Sequence, residues 1–554
     1  MVKYFENTTR PPIISSNGMV SSAHPLASNV GVKILMNGGN AFDAAVGVAF
    51  ALGVVEPYMS GPGGIGLALI TKSGTTNPEV LNFSGLAPKS ATLDNFKDIE
   101  NSVSIGGIST NVGIKAGMVP GNLAGWFELH NKYGSVDLEM LMQPAIHYAE
   151  NGFPVSKFAH ETIKLSVPIL SKYPSSNIYL GNSGTIPHIG SIIKLPQLAE
   201  SLKSILKYGK DVFYKGYLAE KMVQGSQELG GLLSLEDLES YKPEWQKPIN
   251  IKYKDFQIHT TPPNSSGFQI LQIMKMLETY PEGEMNLGSA STLHSMIEIS
   301  KLCVADRVEY AGDPKFITAP LNDLLSSEYA NRQKSRLNSD QAQTVAGDRY
   351  VKDRPINSLS PGEIFAKEGG LTTHFSVVDK DRNAISVTQT LGGGFGTGAA
   401  LSDTGIFLNN MGSYFDEDSS SPNVIAPGKQ VDFVVAPTQV YHKGQLVLSI
   451  GTPGGYGILH TTPQILNNIL NYNMNIQQAI EVPRFRLGSG LNVDIEDRFG
   501  EKILKQLNEK GHKLNNVGPW SRTVGGAQGI FVDNKAGAYW GGADPRRDGY
   551  SVGW

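Results

Sequence analysis

Residues 369–390 read GGLTTHFSVVDKDRNAISVTQT, and this pattern decides how the middle of the chain folds. Apolar and polar residues alternate on both sides of the charged stretch 379–383, which predicts two antiparallel strands joined by a turn. In a hairpin centred on Asp381, directly opposed residues include 372 and 390. The sequence therefore predicts that the hydroxyls of Thr372 and Thr390 face each other where the hairpin opens.

The sequence pattern before this hairpin differs from the pattern after it. Residues 22–240 are rich in helical signals that end at Gly or Pro, and residues 247–310 predict one short strand followed by long helices. Residues 335–368 predict an exposed connector. Residues 372–451 alternate with period two, including the run GIFLNN, and helices follow. We therefore expect an α+β fold in which stacked antiparallel sheets are covered by helices.

Composition excludes several classes of function. The 554 residues are 40% hydrophobic and 18% charged with a net charge of -4, which indicates a globular enzyme and makes nucleic acid an unlikely partner. The one cysteine, Cys303, forms no internal disulfide, and its spacing indicates a core position. The longest apolar run, Ala44 to Val55, is too short to cross a bilayer and predicts a buried helix. The N-terminal stretch lacks the pattern of a signal peptide, so we expect a cytoplasmic protein with no membrane partner.

Two familiar motifs point to other chemistry and are rejected on context. Residues 61–66 fit G-x-G-x-x-G, but a helix precedes them and a strand follows, the reverse of a dinucleotide site. His374 shares a strand face with Thr372 but lies about 7 Å along it, so we interpret His374 as structural. The eleven histidines contain no HExxH and no pair spaced like metal ligands. We expect no metal and no cofactor.

Glycine-rich segments lie where the hairpin chemistry needs them. Residues 391–398, LGGGFGTG, keep side chains away from the opening of the hairpin. Further on, a strand, a glycine turn and a helix follow in QLVLSIGTPGGYGILHTTPQIL. The amides of Gly454 and Gly455 lie near the start of that helix, where backbone donors have no intrahelical acceptor. Such donors suit a developing oxyanion.

These motifs resemble the γ-glutamyltranspeptidases and related acylases of the N-terminal-nucleophile hydrolase superfamily. The resemblance runs through GMVSSAHPLASNVGVKILMNGGNAFDAAVGVAFALGVVEPYMSGPGGIG, VPGNLAGWFELHNKYG, TTHFSVVDKDRNAISVTQTLGGGFGTG, GTPGG and GGADPRRDGYSVGW. It implies a four-layer αββα sandwich and a precursor that cuts itself between Leu371 and Thr372. The two pieces, 1–371 and 372–554, would stay together as a heterodimer that forms one intertwined unit.

The same resemblance assigns catalytic roles. It implies that Thr372 is the nucleophile and that, after cleavage, its own free amine is the general base, because an α-amine with a pKa of about 7.7–8.0 can take a proton near neutral pH. Thr390 would orient that amine, and Gly454 and Gly455 would supply the oxyanion donors. The implied reaction forms an acyl-enzyme at Thr372, which water or an amine resolves.

The sequence departs from the family where a glutamyl group would be bound. The resemblance implies that small or apolar residues occupy the positions of the family's substrate-binding residues. Ser84 stands at the arginine position, Gly392 at the asparagine position after the second threonine, Met411 and Tyr414 where the family has a glutamine and an aspartate, and Phe433 and Val434 at the paired serines. We therefore expect an acylase for an amide or short peptide-like substrate whose acyl group is other than γ-glutamyl, or only loosely like it, with a more open and apolar pocket.

Two alternatives stay open, and so does the number of copies that assemble. One alternative is a true γ-glutamyl hydrolase or transpeptidase that uses cations such as Lys89 or Arg354. The other is an uncut, non-catalytic binding scaffold.

Overall fold

We analysed a computed structural model of the chain, which describes residues 8–96, 102–105, 108–180, 184–343, 371–488 and 490–554. Two seven-stranded sheets form its centre, and helices cover both outer faces. The expected α+β class and four-layer αββα sandwich are confirmed. No helix among the described residues is both long and apolar enough to span a bilayer.

The hairpin sheet is the one that contains Thr372. Its strands are, in spatial order, Tyr550–Gly553, Gly18–Ser22, Leu371–Asp379, Ala384–Gly392, Ile65–Thr71, Glu79–Phe83 and Glu244–Gln246. All neighbouring pairs are antiparallel. The strand that begins at Leu371 is paired on both sides from Phe375 onward, whereas its first residues, including Thr372, pair only with the strand Ala384–Gly392.

The second sheet packs face to face on the hairpin sheet. Its strands are Ile13–Ser15, Ala538–Ala543, Gln528–Asp533, Gln445–Gly451, Thr438–His442, Phe256–Thr260 and Ile249–Tyr253. Both sheets take strands from either side of residue 372. Three small sheets lie outside the sandwich: Phe485–Leu487 with Asn492–Ile495 and Lys513–Asn516, Ser102–Ile105 with Ile108–Asn111, and Phe153–Pro154 with Ile192–Ile193.

Helices form the two outer layers. Those on the side of the hairpin sheet are Pro25–Met36, Ala41–Val55, Asn122–Tyr133, Leu138–Asn151, Lys157–Leu170, Pro196–Tyr208, Asp211–Tyr214, Tyr217–Glu228 and Leu235–Ser240. Those on the side of the second sheet are Phe268–Leu277, Ala290–Tyr310, Leu321–Leu324, Ser327–Lys334, Ile458–Leu470, Ile476–Glu481 and Glu501–Glu509. A short helix, Leu93–Phe96, contributes Phe96 to the same hydrophobic cluster as the helices on the side of the second sheet.

The helix Ala41–Val55 anchors the first layer against the hairpin. Every one of its residues is buried, as the apolar run predicts, and it contacts both hairpin strands. Asn40 begins it with a capping box shared with Asp43, which satisfies backbone donors that the first turn leaves open. The helix ends at Glu56, directly beneath the opening of the hairpin.

Two sequence expectations about secondary structure are wrong in detail. The predicted single strand after residue 247 is a hairpin, Ile249–Tyr253 with Phe256–Thr260. The run GIFLNN is not a strand: it makes only an isolated bridge, and the amide of Asn409 bonds to the carbonyls of Gly63 and Met118 instead of a ladder. Residues 344–368 of the predicted connector lie outside the described part of the chain.

Candidate functional site

The opening of the hairpin brings the two threonine hydroxyls together. Thr372 pairs with Thr390, so the register predicted from the sequence is confirmed. The Thr372 Oγ1 donates a hydrogen bond to the Thr390 Oγ1 at 3.2 Å, and both side chains are buried. The backbone amide of Gly392 also donates to the Thr390 Oγ1, at 2.8 Å.

The same hydroxyl reaches the peptide bond that precedes Thr372. Thr390 Oγ1 donates to the carbonyl oxygen of Leu371 at 3.1 Å. The ladder has an irregularity between Leu371 and Thr372, which turns that carbonyl toward the threonines. The hydroxyl of Thr372, the Thr390 hydroxyl that accepts from it and the Leu371 carbonyl that accepts from Thr390 therefore form one connected chain.

Beyond Thr390 the backbone needs glycine. Gly392 has a φ of +97°, and a Cβ there would lie 2.3 Å from the Asn410 Oδ1. That oxygen accepts from the amide of Gly393 at 2.8 Å. An asparagine amide from a later segment thus occupies the space beside Gly392, a contact that the sequence does not reveal.

The glycine turn before the helix Ile458–Leu470 has the expected form. Gly454 has a φ of +143°, which side-chain-bearing residues rarely adopt, and a single 3₁₀ turn, Gly455–Gly457, leads into the helix. A Cβ on Gly454 would lie 3.5 Å from Gly525. The turn therefore lies in ordinary contact with another glycine segment, and its backbone conformation rather than lack of space favours glycine at 454.

Arg547 connects this glycine region to Thr372. Its side chain lies against Gly526, where an added Cβ would be 2.4 Å from the Arg547 Cδ. Its Nη1 donates to the carbonyl oxygen of Thr372 at 3.5 Å. Burial, and then the charge of Arg522, lowers the pKa of Arg547 to about 10, so it stays cationic at neutral pH.

A buried carboxylate lies on the other face of the same strand. Thr373 Oγ1 donates to Glu56 Oε2 at 2.7 Å, and Glu56 is 2% exposed. Burial raises the pKa of Glu56 to about 7. The site thus holds a titratable acid one residue from Thr372, which sequence reasoning missed because Glu56 is 317 positions away from Thr373.

His374 is placed as a structural residue. Its Nδ1 and Nε2 lie 2.8 Å and 3.3 Å from the hydroxyls of Thr388 and Ser376. Burial lowers its pKa to about 3, so the ring is neutral. A Cβ on Gly451 would lie 2.4 Å from this ring, which explains that glycine.

The apolar pocket residues inferred from the sequence share one cluster. Met411, Tyr414, Phe433 and Val434 are all buried in one hydrophobic cluster, to which strands of both sheets contribute. Met411 adjoins Gly392, since a Cβ added to Gly392 would lie 3.1 Å from the Met411 sulfur. Tyr414 stacks on Tyr456, the residue after Gly455, with ring centroids 5.6 Å apart. The cluster therefore connects the opening of the hairpin with the glycine turn.

A buried ion pair borders this cluster. Arg307 Nη1 lies 2.9 Å from Asp432 Oδ2, and the Arg307 guanidinium lies 4.2 Å from the centre of the Tyr456 ring. Burial lowers the pKa of the neighbouring His460, and the charges of Arg486 and Arg307 lower it further, to about 3. Arginine cations therefore lie next to the apolar cluster, which the sequence did not indicate.

Ser84 lies in a neutral network. Its hydroxyl accepts from the amides of Asn264 and Gln430 at 3.1 and 3.2 Å, and Asn82 also bonds to Asn264. The side chain is completely buried. Among the described residues, the side chains that donate to the Ser84 hydroxyl are neutral amides.

Of the two candidate cations, the structure describes only Lys89, which does not contact Ser84. Lys89 pairs with Glu236 on the surface, and both side chains are largely exposed. Arg354 lies outside the described residues. The predicted alternative that used these cations therefore has no support from Lys89.

The glycines of the rejected G-x-G-x-x-G motif pack against the hairpin. Added Cβ atoms on Gly64 and Gly66 would lie 2.6 Å from the Thr390 carbonyl oxygen and 2.8 Å from that of Thr388. A helix precedes the motif and a strand follows it, as the sequence predicts. These glycines serve close packing beside the threonines.

The fold brings together two histidines, His294 and His512, which are far apart in the sequence. His294 Nδ1 lies 2.8 Å from His512 Nε2, and Glu298 lies beside them. However, Glu298 pairs with buried Lys301 at 2.7 Å and accepts from the amide of Gln343. The ammonium group of Lys301 would repel a metal ion bound to these side chains. The hydrogen bonds and the ion pair therefore explain why the three residues lie together.

Comparisons with known proteins agree with this geometry. Residues 27–554 match the model of the family described as gamma-glutamyltranspeptidase. The chain is 34% identical over 98% of its length to a glutathione hydrolase proenzyme of Bacillus subtilis (strain 168), of which it covers 92%. It is 33% identical over 98% of its length to the acylase ACY 1 proenzyme of Pseudomonas sp. (strain SE83), of which it covers 94%. A cephalosporin acylase structure from Bacillus halodurans superposes with a TM-score of 0.88, at 29% identity, over 100% of this chain and 99% of that one. The chain therefore belongs to the γ-glutamyltranspeptidase family.

Proposed function

We propose that this protein is a self-cleaving threonine amidohydrolase, an acylase that forms an acyl-enzyme on Thr372 and transfers the acyl group to water or an amine. The observation that carries the proposal is the hydrogen-bond chain from Thr372 Oγ1 to Thr390 Oγ1 to the Leu371 carbonyl. It couples the attacking oxygen to the bond that must break.

Self-cleavage follows from that chain of hydrogen bonds. Thr372 Oγ1 attacks the carbonyl carbon of Leu371 while its proton passes to Thr390, whose own proton goes to the carbonyl oxygen. The tetrahedral intermediate returns this proton to the nitrogen of Thr372 as the C–N bond breaks. The resulting ester is hydrolysed by water, which leaves a carboxylate on Leu371 and a free hydroxyl and amine on Thr372.

The free amine then changes the chemistry of Thr372. An α-amine with a pKa of about 7.7–8.0 can accept the hydroxyl proton as the oxygen attacks an amide substrate. The amides of Gly454 and Gly455 stabilise the oxyanion, and the amine passes its proton to the leaving nitrogen. Water or an amine then attacks the ester and releases Thr372. The two fragments remain together as a heterodimer, because each sheet contains strands of both.

The proposed acyl group is not a γ-glutamyl zwitterion. Buried Ser84 sits among neutral amides, so a substrate carboxylate placed there would lack a cation. Tyr414 stands at the position of the family's aspartate and lies in an apolar cluster. An acyl chain without an α-amino group fits these neighbours best.

A γ-glutamyl hydrolase is the second candidate. What favours it is that relatives identical at about one residue in three are glutathione hydrolase proenzymes. Under this alternative, a cation such as Arg307, which lies over the Tyr456 ring, would replace the missing arginine.

We also propose a cytoplasmic location, which fractionation of the native cells would test.

One set of measurements tests the function and its rivals. The purified protein is run on a denaturing gel, and each band is sequenced from its N-terminus. We expect pieces of 371 and 183 residues, the smaller beginning at Thr372. Release of p-nitroaniline is then followed from acetyl, butyryl, glutaryl and γ-glutamyl p-nitroanilides. Faster turnover of the γ-glutamyl compound supports the second candidate, and a single inactive 554-residue band supports a scaffold.

A further inference from the structure

The segment after the helix Ala41–Val55 braces the opening of the hairpin. The carbonyl of Met59 accepts from the amide of Leu391 at 2.8 Å, and that of Tyr58 accepts from Phe395 at 3.2 Å. The amides of Met59 and Ser60 bond back to the carbonyl of Glu56. Residues 56–60 are therefore fixed relative to the strand that carries Thr390.

The side chain of Glu56 extends this brace to the strand of Thr372. Its carboxylate accepts from Thr373 Oγ1 at 2.7 Å. The cation of Arg547 faces it and donates to the Thr372 carbonyl at 3.5 Å. One buried carboxylate thus reaches the first two residues of the smaller fragment by two routes.

We propose that Glu56 is a positioning residue for Thr372, and that only its ionised form holds the cut chain end in the active geometry. This inference rests on the proposed function, because it concerns the state after cleavage. Before cleavage, the peptide bond to Leu371 tethers Thr372. Afterwards Thr372 is a chain terminus, and termini become disordered unless side chains or ladders fix them.

The groups around Glu56 set its charge near neutral pH. Burial raises its pKa to about 7; the hydrogen bond from Thr373 lowers it, the charge of Asp548 raises it, and that of Arg547 lowers it. The charge of Glu56 also raises the pKa of Tyr58, and the charge of Arg522 lowers that of Arg547. As the pH falls through about 7, Glu56 becomes neutral and the attraction that holds Arg547 is lost.

Two protons therefore control the acidic side of the activity profile. The amine of Thr372 must lose one, with a pKa of about 7.7–8.0, and Glu56 must lose the other. Below both pKa values, log kcat/KM for the wild type should rise with a slope approaching 2 per pH unit. An enzyme that depends on the amine alone has a slope of 1.

The decisive variant is Glu56→Gln, which keeps an acceptor for Thr373 and removes the charge. Self-cleavage is followed on gels, and kcat and KM are measured from pH 5 to 9 with whichever p-nitroanilide the wild type hydrolyses fastest. We expect self-cleavage within about threefold of wild type, because the covalent tether still positions Thr372. We expect kcat to fall about tenfold or more, KM to change less than twofold, and the acidic slope to drop to 1.

Two controls separate positioning from general damage. Asp548→Asn removes a neighbouring negative charge but leaves Glu56, so the acidic limb should move to lower pH and keep its slope of 2. If Glu56→Gln does not fold, Thr373→Val and Thr373→Ser test the hydrogen bond instead: the valine variant should lose kcat and the serine variant should keep it.

Different results would refute the role of Glu56 and the proposed function. A wild type that is cut at Thr372 and active, with a Glu56→Gln variant that keeps its kcat or its slope of 2, overturns the role of Glu56 alone. A wild-type slope of 1, or equal activity of the two Thr373 variants, overturns it as well. An uncut or inactive wild type overturns the proposed function first.

Discussion

The hydroxyl of Thr390 should control how fast the chain cuts itself, and Thr390→Val tests this with little change in shape. In the intact chain this oxygen accepts from Thr372 and from the Gly392 amide, and it donates to the Leu371 carbonyl. Valine removes all three interactions. The structure therefore separates a cost in stability from a cost in rate.

The two costs have different sizes. A buried Gly392 amide without its acceptor costs about 1–3 kcal/mol of folding free energy. The Leu371 carbonyl loses the donor that stabilises its developing negative charge, which costs about 2.7–4 kcal/mol, or about 10²–10³-fold in rate. Thr390→Ser keeps the oxygen and should cleave within about tenfold of wild type.

The assay follows freshly translated, labelled chains on denaturing gels and fits the loss of the 554-residue band. Thr388→Val is the matched control, since Thr388 lies two residues away on the same face and its hydroxyl bonds to His374 at 2.8 Å. It should lose comparable stability and cleave at nearly the wild-type rate. Cleavage of Thr390→Val at the wild-type rate, or equal slowing of both variants, would refute the reasoning.

Three further predictions follow from the same contacts. Thr372→Ala should remain a single inactive 554-residue band on gels, whereas Thr372→Ser should still be cut. Gly392→Ala should lower the free energy of unfolding by about 2–4 kcal/mol in urea titrations, because a positive φ and a Cβ contact of 2.3 Å act together; Gly428→Ala, with a φ of +68° and open space around it, should cost only about 1 kcal/mol. Arg307→Met should cost about 3–5 kcal/mol, since it leaves the buried carboxylate of Asp432 without its cation; removing both charges with Asp432→Asn should recover part of that loss in thermal melts.

Local pattern was sufficient for the hairpin. Alternation and the charged turn placed Thr372 opposite Thr390, because antiparallel register has a period of two and the turn fixes its phase. The buried helix after Asn40 followed from its apolar run for a similar reason. In both cases the signal lies within about 20 consecutive residues.

Pattern failed where side chains replace backbone pairing. GIFLNN alternates like a strand, but its asparagine amides bond to distant loops, so no ladder forms. Similarly, the strand predicted after residue 247 turns back on itself at Lys254, which has a positive φ of 51°. A β-propensity argument cannot anticipate partners supplied by another segment.

By itself, the sequence determined the antiparallel sandwich, the facing threonines and the glycine turn, since these depend on residue types at short spacing. Only the tertiary structure decided what surrounds Thr372. Glu56 and Arg547 reach that strand from positions 317 and 175 residues away from their partners, and neutral amides enclose Ser84. The physical reason is that burial and charge depend on which segments pack together, and these long-range contacts set the pKa of Glu56 and the position of the nucleophile.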